Sequence, residues 1–360
     1  MQLAGVHVTA GPAGPPAAGR GEDDRDRRQA VLDEARRLVE PALRGAIERL
    51  DPHTRQVCGY HLGFWDAAGE AGVGGGKYVR PALALLSARA AGAPAERGVP
   101  AAAACELVHN FSLLHDDVMD GDTERRHQAA VWARFGTSTA ILAGDALLAL
   151  ANEVLSDASS PGVPRAIRHL NATVRHLVAG ESADLSFETT ADVPLQDCVQ
   201  AASAKTGALL ACSASLGAVL VDAPARLVSG LAGYGAHVGL AFQLVDDLLG
   251  IWGAPERTGK PAWSDLRARK KSLPVAAALG SRTDAGERLR RLYAQTRELE
   301  DAELEQAAAL VEQAGGRGWA RREAEREAAA ALRILEDLAL PTGVHDELAA
   351  VTDLLSGRQH

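Results

Sequence analysis

FSLLHDDVMD, residues 111–120, and FQLVDDLLG, residues 242–250, decide how this chain is read. The first places Asp116, Asp117 and Asp120 at the inner end of a long apolar run; the second places Asp246 and Asp247 at the end of another. A carboxylate is costly to bury unless a cation or a donor compensates it. Asp116 and Asp120 stand one helical turn apart, so both can face one object. Acids at helix C-termini also meet the unfavourable end of the helix dipole. A lone Asp-Asp pair is often no more than a solvated helix end. Its recurrence after two long apolar segments instead points to a bound cation. Hard oxygen donors, with no Cys/His set nearby, favour Mg²⁺ over zinc, with water and phosphate oxygens completing the shell.

The sequence around these clusters reads as helical. Alanine and leucine dominate, aromatics make up 4% of residues, and runs of β-branched residues are missing, so an all-α fold is expected. The periodicity predicts helices over about 25–50, 55–68, 81–90, 101–119, 137–155, 164–188, 195–220 with an interruption near Lys205, and 224–249. Two or three amphipathic helices follow between about 284 and 338, broken near GGRG. Residues 1–22, rich in Gly, Pro and Ala, read as a disordered tail. No linker separates the two acidic clusters, so residues 23–360 are expected to form one domain.

A formal charge of −9 and the lack of a broad basic tract argue against general nucleic-acid binding. Cys58, Cys105, Cys198 and Cys212 have no metal-like spacing and read as small buried residues of a reduced, cytoplasmic protein. No stretch is expected to span a membrane, and the N-terminus lacks the pattern of a secretion signal.

Basic residues complement the acids. Arg125 and Arg126 follow the first cluster, where a flexible loop would let them clamp phosphate oxygens. Lys77 and Arg80 sit three apart beside the run GVGGG, which lets backbone approach a phosphate closely. Lys205 and Thr206 interrupt an apolar helical pattern; Lys260 and Lys270 lie in a turn-rich basic stretch. His109 falls on the face of Asp116, seven residues earlier. Each of these residues, taken singly, also has a plain surface or core reading. A nucleotide-type phosphate loop is absent, because GxxxxGK[ST] is not present.

Taken in order, these motifs resemble the trans-isoprenyl diphosphate synthase, or polyprenyl synthetase, family over about residues 30–340. GGGKYVRP is similar to the family's GGKxxRP segment, and HDDVMDGDTERR to its first aspartate-rich motif. The Lys-Thr pair, FQxxDD, and the GK and KKSLP segments follow in family order. The resemblance implies an isoprenoid synthase fold, a bundle of about ten or more helices around a central cavity. It implies head-to-tail condensation of isopentenyl diphosphate with an allylic diphosphate (dimethylallyl, geranyl or farnesyl), three Mg²⁺ ions per site, and a homodimer. By motif position, Asp116, Asp120 and Asp246 would be the main metal ligands, supported by Asp117 and Asp247. Lys205, Lys260 and Arg125 would hold the allylic diphosphate, and Lys270 would join the substrate-binding set. Lys77, Arg80, His109 and Arg126 would hold isopentenyl diphosphate. Thr206 and Gln243 would line the reacting centre.

Two positions depart from the pattern. The last aspartate of the second motif is Gly250, and the family's GQxxD is here Gly180, Glu181 and Asp184. Phe111, with small Ser112 beside it, reads as the floor of the product channel and resembles enzymes making the twenty-carbon geranylgeranyl product. Farnesyl diphosphate is the competing product. A class I terpene cyclase is disfavoured because Leu248, Leu249 and Gly250 stand where (N/D)DxxSxxxE would run. A non-catalytic synthase subunit is disfavoured by the intact basic set.

Overall fold

The computed structural model describes residues 18–357 apart from 73, 191, 254–262 and 296. The tail expected at 1–22 falls mostly outside them, and its last residues already belong to helix α1, Ala18–Ile47. Asp51 starts α2, Pro52–His61, by accepting the N–H groups of His53 and Thr54 at 3.0 and 3.2 Å, with Pro52 in the first turn. This helix stops seven residues short of the expected end. From Gly63 on, the chain instead turns into a glycine-rich loop closed by a bridge between Trp65 and Ala71.

The body is all-α. α3 (Val79–Ala90), α4 (Val99–Asp120), α6 (Thr137–Ser156), α7 (Val163–Thr189), α9 (Ala208–Leu220) and α10 (Ala225–Trp252) form the bundle, with short α5 (Val131–Phe135) and α8 (Leu195–Ala202) between them. α4 lies along α6, while α9 packs between α3 and α10. The C-terminal part adds α11 (Ser264–Arg267), α12 (Leu273–Leu279), α13 (Asp284–Tyr293), α14 (Asp301–Gln313), α15 (Gly316–Asp337) and α16 (Thr342–Leu355). α15 packs along α10, and α16 returns against α1. Leu83, Leu107, Leu114, Leu147, Leu170, Leu209 and Tyr234 fill one continuous core between these helices. The last helix was missed by the sequence reading, as were α5, α11 and α12.

Two local features shape the cavity. The interruption expected near Lys205 is a π-helical turn, Ser203–Gly207, joining α8 to α9 without a break. One extra residue per turn rotates the side chains that follow, which re-aims them within an otherwise continuous helix. The second feature is a two-stranded hairpin where a flexible loop was expected: Glu124 pairs with Ala129 and Arg125 with Gln128. Its two turn residues, Arg126 and His127, both have positive φ, 52° and 62°. That geometry suits a tight hairpin but normally recruits Asn and Gly. An Arg-His pair gives no such signal.

Three stretches are, by length and composition, apolar enough to cross a membrane: Thr137–Ser156, Leu195–Leu220 and Ala225–Trp252. Length and composition alone therefore do not exclude a span, contrary to the sequence reading. Alanine and leucine raise their mean hydropathy, and in the fold the small residues let neighbouring helices approach closely. A Cβ on Gly239 of α10 would lie 2.7 Å from Gly207 Cα and 3.3 Å from Leu210 Cβ. Gly239→Val should therefore destabilise the protein by roughly 1–3 kcal/mol through overpacking. An unchanged thermal midpoint would show that the α9–α10 contact is looser than this.

Candidate active site

One cavity of about 560 Å³ gathers most of the predicted site residues. Asp116 and Asp120 reach it from the end of α4, Asp246 and Gln243 from α10, Lys205 and Thr206 from the π-turn, and Lys270 from the segment before α12. Lys77 and Arg80 enter beside the glycine loop, His109 and Ser112 from α4, and Arg125 and Arg126 from the hairpin. Leu177, Leu209, Leu210 and Phe242 supply apolar wall. The two acidic faces thus open on a common hollow. Lys260 lies outside the described residues.

The electrostatics are those of a site waiting for ions of both signs. Burial pushes the Asp116 carboxyl up to about 7; Lys205 opposes that rise, while Glu181 and Asp120 add to it. The Arg80 Nε is buried without a hydrogen-bond partner among the described residues. Burial also lowers the His109 imidazole well below its ordinary value, and nearby Arg80, Arg126 and Arg125 reinforce this. A neutral imidazole still offers one N–H to an anion. Glu106, buried on α4 and absent from the sequence reading, faces Arg80 and Arg126 electrostatically and accepts from Asn110 Nδ2 at 3.1 Å. A single acid inside AAAACELVHN was the available signal.

Several expected residues point elsewhere. Asp117 is buried and gives both oxygens to Arg125 Nε, at 2.7 and 2.8 Å, so it aims the arginine and does not face the cavity. Asp247 is also buried: one oxygen accepts from Gln243 Nε2 and the other from the Leu273 N–H, both at 2.7 Å. Gln243 Oε1 in turn accepts from the Thr206 hydroxyl at 2.6 Å. Asp247 therefore anchors a chain of hydrogen bonds across three elements. Neighbouring residues on a helix diverge by about 100°, so only one of each Asp-Asp pair can face the hollow. Phe111 is off the cavity lining as well, packed edge-on against His115 with ring centres 4.9 Å apart. The residues lining that part of α4 are Ser112 and Leu113, so the floor assigned to Phe111 is not supported.

The carboxylate missing at Gly250 has a neighbour in its place. A Cβ there would come within 2.6 Å of the Asp265 carboxyl carbon, on α11. Fourteen residues separate the two, so no local motif announces the substitution. Leu354 and Leu355 of α16 also line the cavity unannounced.

The donor set fits Mg²⁺. Among the described residues, no group of three or more His, Cys, Asp or Glu side chains forms a ready-made metal cage. Mg²⁺ is ordinarily held by one or two carboxylates with waters and substrate phosphates, which suits acids on facing walls.

Comparison with known proteins places the chain. Residues 66–311 match the polyprenyl synthetase family model, and the chain belongs to that family. It is 46% identical over 333 residues to the (2E,6E)-farnesyl diphosphate synthase of Mycobacterium tuberculosis, covering 91% of this chain and 93% of the relative. It is 41% identical over 346 residues to the geranylgeranyl diphosphate synthase of the same organism, covering 95% and 97%. The crystal structure of a polyprenyl synthetase from Streptomyces coelicolor A3(2) superposes with a TM-score of 0.86 at 49% identity, covering 91% of this chain and 98% of that one. The protein is accordingly a prenyltransferase, and the condensation it performs on isoprenoid diphosphates depends on Mg²⁺.

Because burial dominates the raised Asp116 carboxyl, its charged form disfavours folding when no cation is present. The unfolded chain loses this proton near 3.8 and the folded chain near 7, so stability falls as pH rises through that window. Asp116→Asn should therefore raise the thermal midpoint of metal-free protein at pH 8 by about 2–4 °C. The gain should vanish near pH 4. A lowered midpoint at pH 8 would mean that attraction to Lys205 outweighs burial.

Proposed function

We propose that this enzyme makes farnesyl diphosphate, adding isopentenyl diphosphate first to dimethylallyl and then to geranyl diphosphate. The observation that carries the reading is one cavity whose lining gathers Asp116, Asp120, Asp246, Lys205 and Lys270 together with a second basic set, Lys77, Arg80, Arg125 and Arg126. Such a hollow suits two diphosphates at once, which a cyclase does not need. Asp116, Asp120 and Asp246 would hold Mg²⁺, three ions per site in the family pattern, leaving Asp117 and Asp247 to position Arg125 and Gln243. Bound Mg²⁺ would neutralise the departing diphosphate and polarise its bridging oxygen.

The protein's own groups do the rest. Lys205, Lys270 and Arg125 grip the allylic diphosphate, and Lys260 belongs with them by motif. Lys77, Arg80, His109 and Arg126 hold the isopentenyl diphosphate. The Thr206–Gln243 pair sits where the allylic cation forms, its polar atoms fixed by Asp247. The apolar wall keeps water from that cation, and the released diphosphate takes the proton when the new double bond forms.

The fifteen-carbon product replaces the twenty-carbon expectation for two reasons. The argument from Phe111 loses its basis once the ring is found against His115. The relative making farnesyl diphosphate is also the more similar of the two, 46% against 41% identical. Small Ser112 on the lining keeps geranylgeranyl diphosphate as the second reading.

A homodimer is supported by α6 and α7, which expose Ile141, Leu142 and Val178 at 42%, 64% and 52%. Large apolar side chains in such number suit burial against a second copy. Likeness over nearly the whole length to solved synthases supports a cytoplasmic enzyme.

The test is incubation of purified protein with isopentenyl diphosphate and each of dimethylallyl, geranyl and farnesyl diphosphates, with and without Mg²⁺. Farnesyl diphosphate should accumulate from the first two primers, and farnesyl diphosphate itself should prime poorly. Accumulation of the twenty-carbon product would reverse the length assignment. In the same assay Arg126→Ala should raise the KM for isopentenyl diphosphate by about tenfold or more, the loss expected for a charge-assisted phosphate contact, with less effect on the allylic KM. Equal losses would defeat the division of the two sites.

A further inference from the structure

Glu181 stands where the family pattern has a neutral glutamine, and its setting gives that difference a purpose. It is buried on α7, 6% exposed, and one carboxylate oxygen lies 2.6 Å from Lys205 Nζ. Asp184, one turn on, approaches the same ammonium at 3.0 Å and Lys270 Nζ at 3.8 Å. Gly180 makes this closeness possible: a Cβ there would collide with the backbone of Ala204 and Lys205, so α7 and the π-turn touch main chain to main chain. Asp116 also lies in the field of both Lys205 and Glu181. Lys205 therefore faces three carboxylates, and Glu181 is not itself on the cavity lining. It reaches the site only through the lysine.

We propose that Glu181 is an internal counter-ion that holds Lys205 until divalent metal has neutralised the facing acids, so that diphosphate capture is conditional on the metal. Without metal, an incoming diphosphate must compete with Glu181 and Asp184 for Lys205 and is repelled by Asp116, Asp120 and Asp246. With metal bound to those acids, the ligand carries its own attraction and the lysine transfers to it. A glutamine at 181 would leave a neutral amide beside Lys205 and would not compete as an anion. Glu181 is thus a positioning residue that sets the order of binding, and the inference rests on the diphosphate site proposed above.

The probe is inorganic pyrophosphate, with binding measured by titration calorimetry on the full chain, once in EDTA and once in saturating Mg²⁺. Glu181→Gln should tighten metal-free binding by about tenfold, the worth of one charge-assisted contact, and change Mg²⁺-loaded binding much less. Glu181→Asp, which keeps the charge, should stay close to wild type in the metal-free arm. Asp184→Asn, which removes the second partner, should shift metal-free binding in the same direction as Glu181→Gln, so the idea remains exposed if one variant folds poorly. Unchanged or weaker metal-free binding by Glu181→Gln overturns the proposal. A loss confined to the Mg²⁺ arm also overturns it and makes Glu181 a metal-side ligand. If wild type fails to bind pyrophosphate even with Mg²⁺, the diphosphate site itself is wrong, a result distinct from either of these.

Discussion

Lys205 lies between Glu181 and Asp184, at 2.6 and 3.0 Å, and it stays there because a single π-helical turn swings it inward between two long helices. In a plain α-helix the residues after Ala202 would be rotated away by a large part of a turn. Thr206 would then lose the 2.6 Å contact with Gln243. The close approaches of Gly180 to Lys205 and of Gly239 to Gly207 clamp the turn from both sides. The wall of the cavity that carries Lys205 and Thr206 takes its form from this irregularity.

Around it the protein collects charges that do not cancel. Asp116 is raised to about 7 by burial, and Arg80 keeps a buried nitrogen without a partner among the described residues. Both conditions cost stability in the free protein. They are supported by groups that are fully satisfied: Asp117 bound to Arg125, and Asp247 bound to Gln243 and the Leu273 N–H. The division of labour is consistent. In each Asp-Asp pair one residue is buried and spoken for, and the other opens on the hollow where metal and phosphate would meet.

Much of this was legible in the sequence because helical periodicity and motif order are local properties. The long helices, the break at Lys205 and the meeting of Asp116 with Asp246 in one cavity all followed from spacing. What was not legible depended on direction or on distant contacts. The sequence could not show that Arg126 and His127 adopt positive φ, since the usual turn residues are absent. Phe111 was assigned to the channel by counting residues back from Asp116, but its ring packs on His115, one turn along the same helix, and is off the cavity lining. The approach of Asp265 to Gly250 and of Leu354 and Leu355 to the cavity depends on chain that returns from far away.

The two departures from the family pattern are best understood together. Gly250 takes a carboxylate away from α10, yet the Asp265 carboxyl fills the space a Cβ there would need, its carbon 2.6 Å from that position. Glu181 adds a carboxylate behind the cavity lining, where it is matched by Lys205. Negative charge is thereby redistributed around the hollow and not simply lost. An inactive descendant would be under no pressure to keep such a balance, and one substitution would carry no counterpart. Here each altered position has an oppositely directed partner in space, and the satisfied hydrogen bonds of Asp247 remain intact beneath them. The arrangement is that of a working site with its charges moved, which agrees with a transferase and not with a decayed subunit.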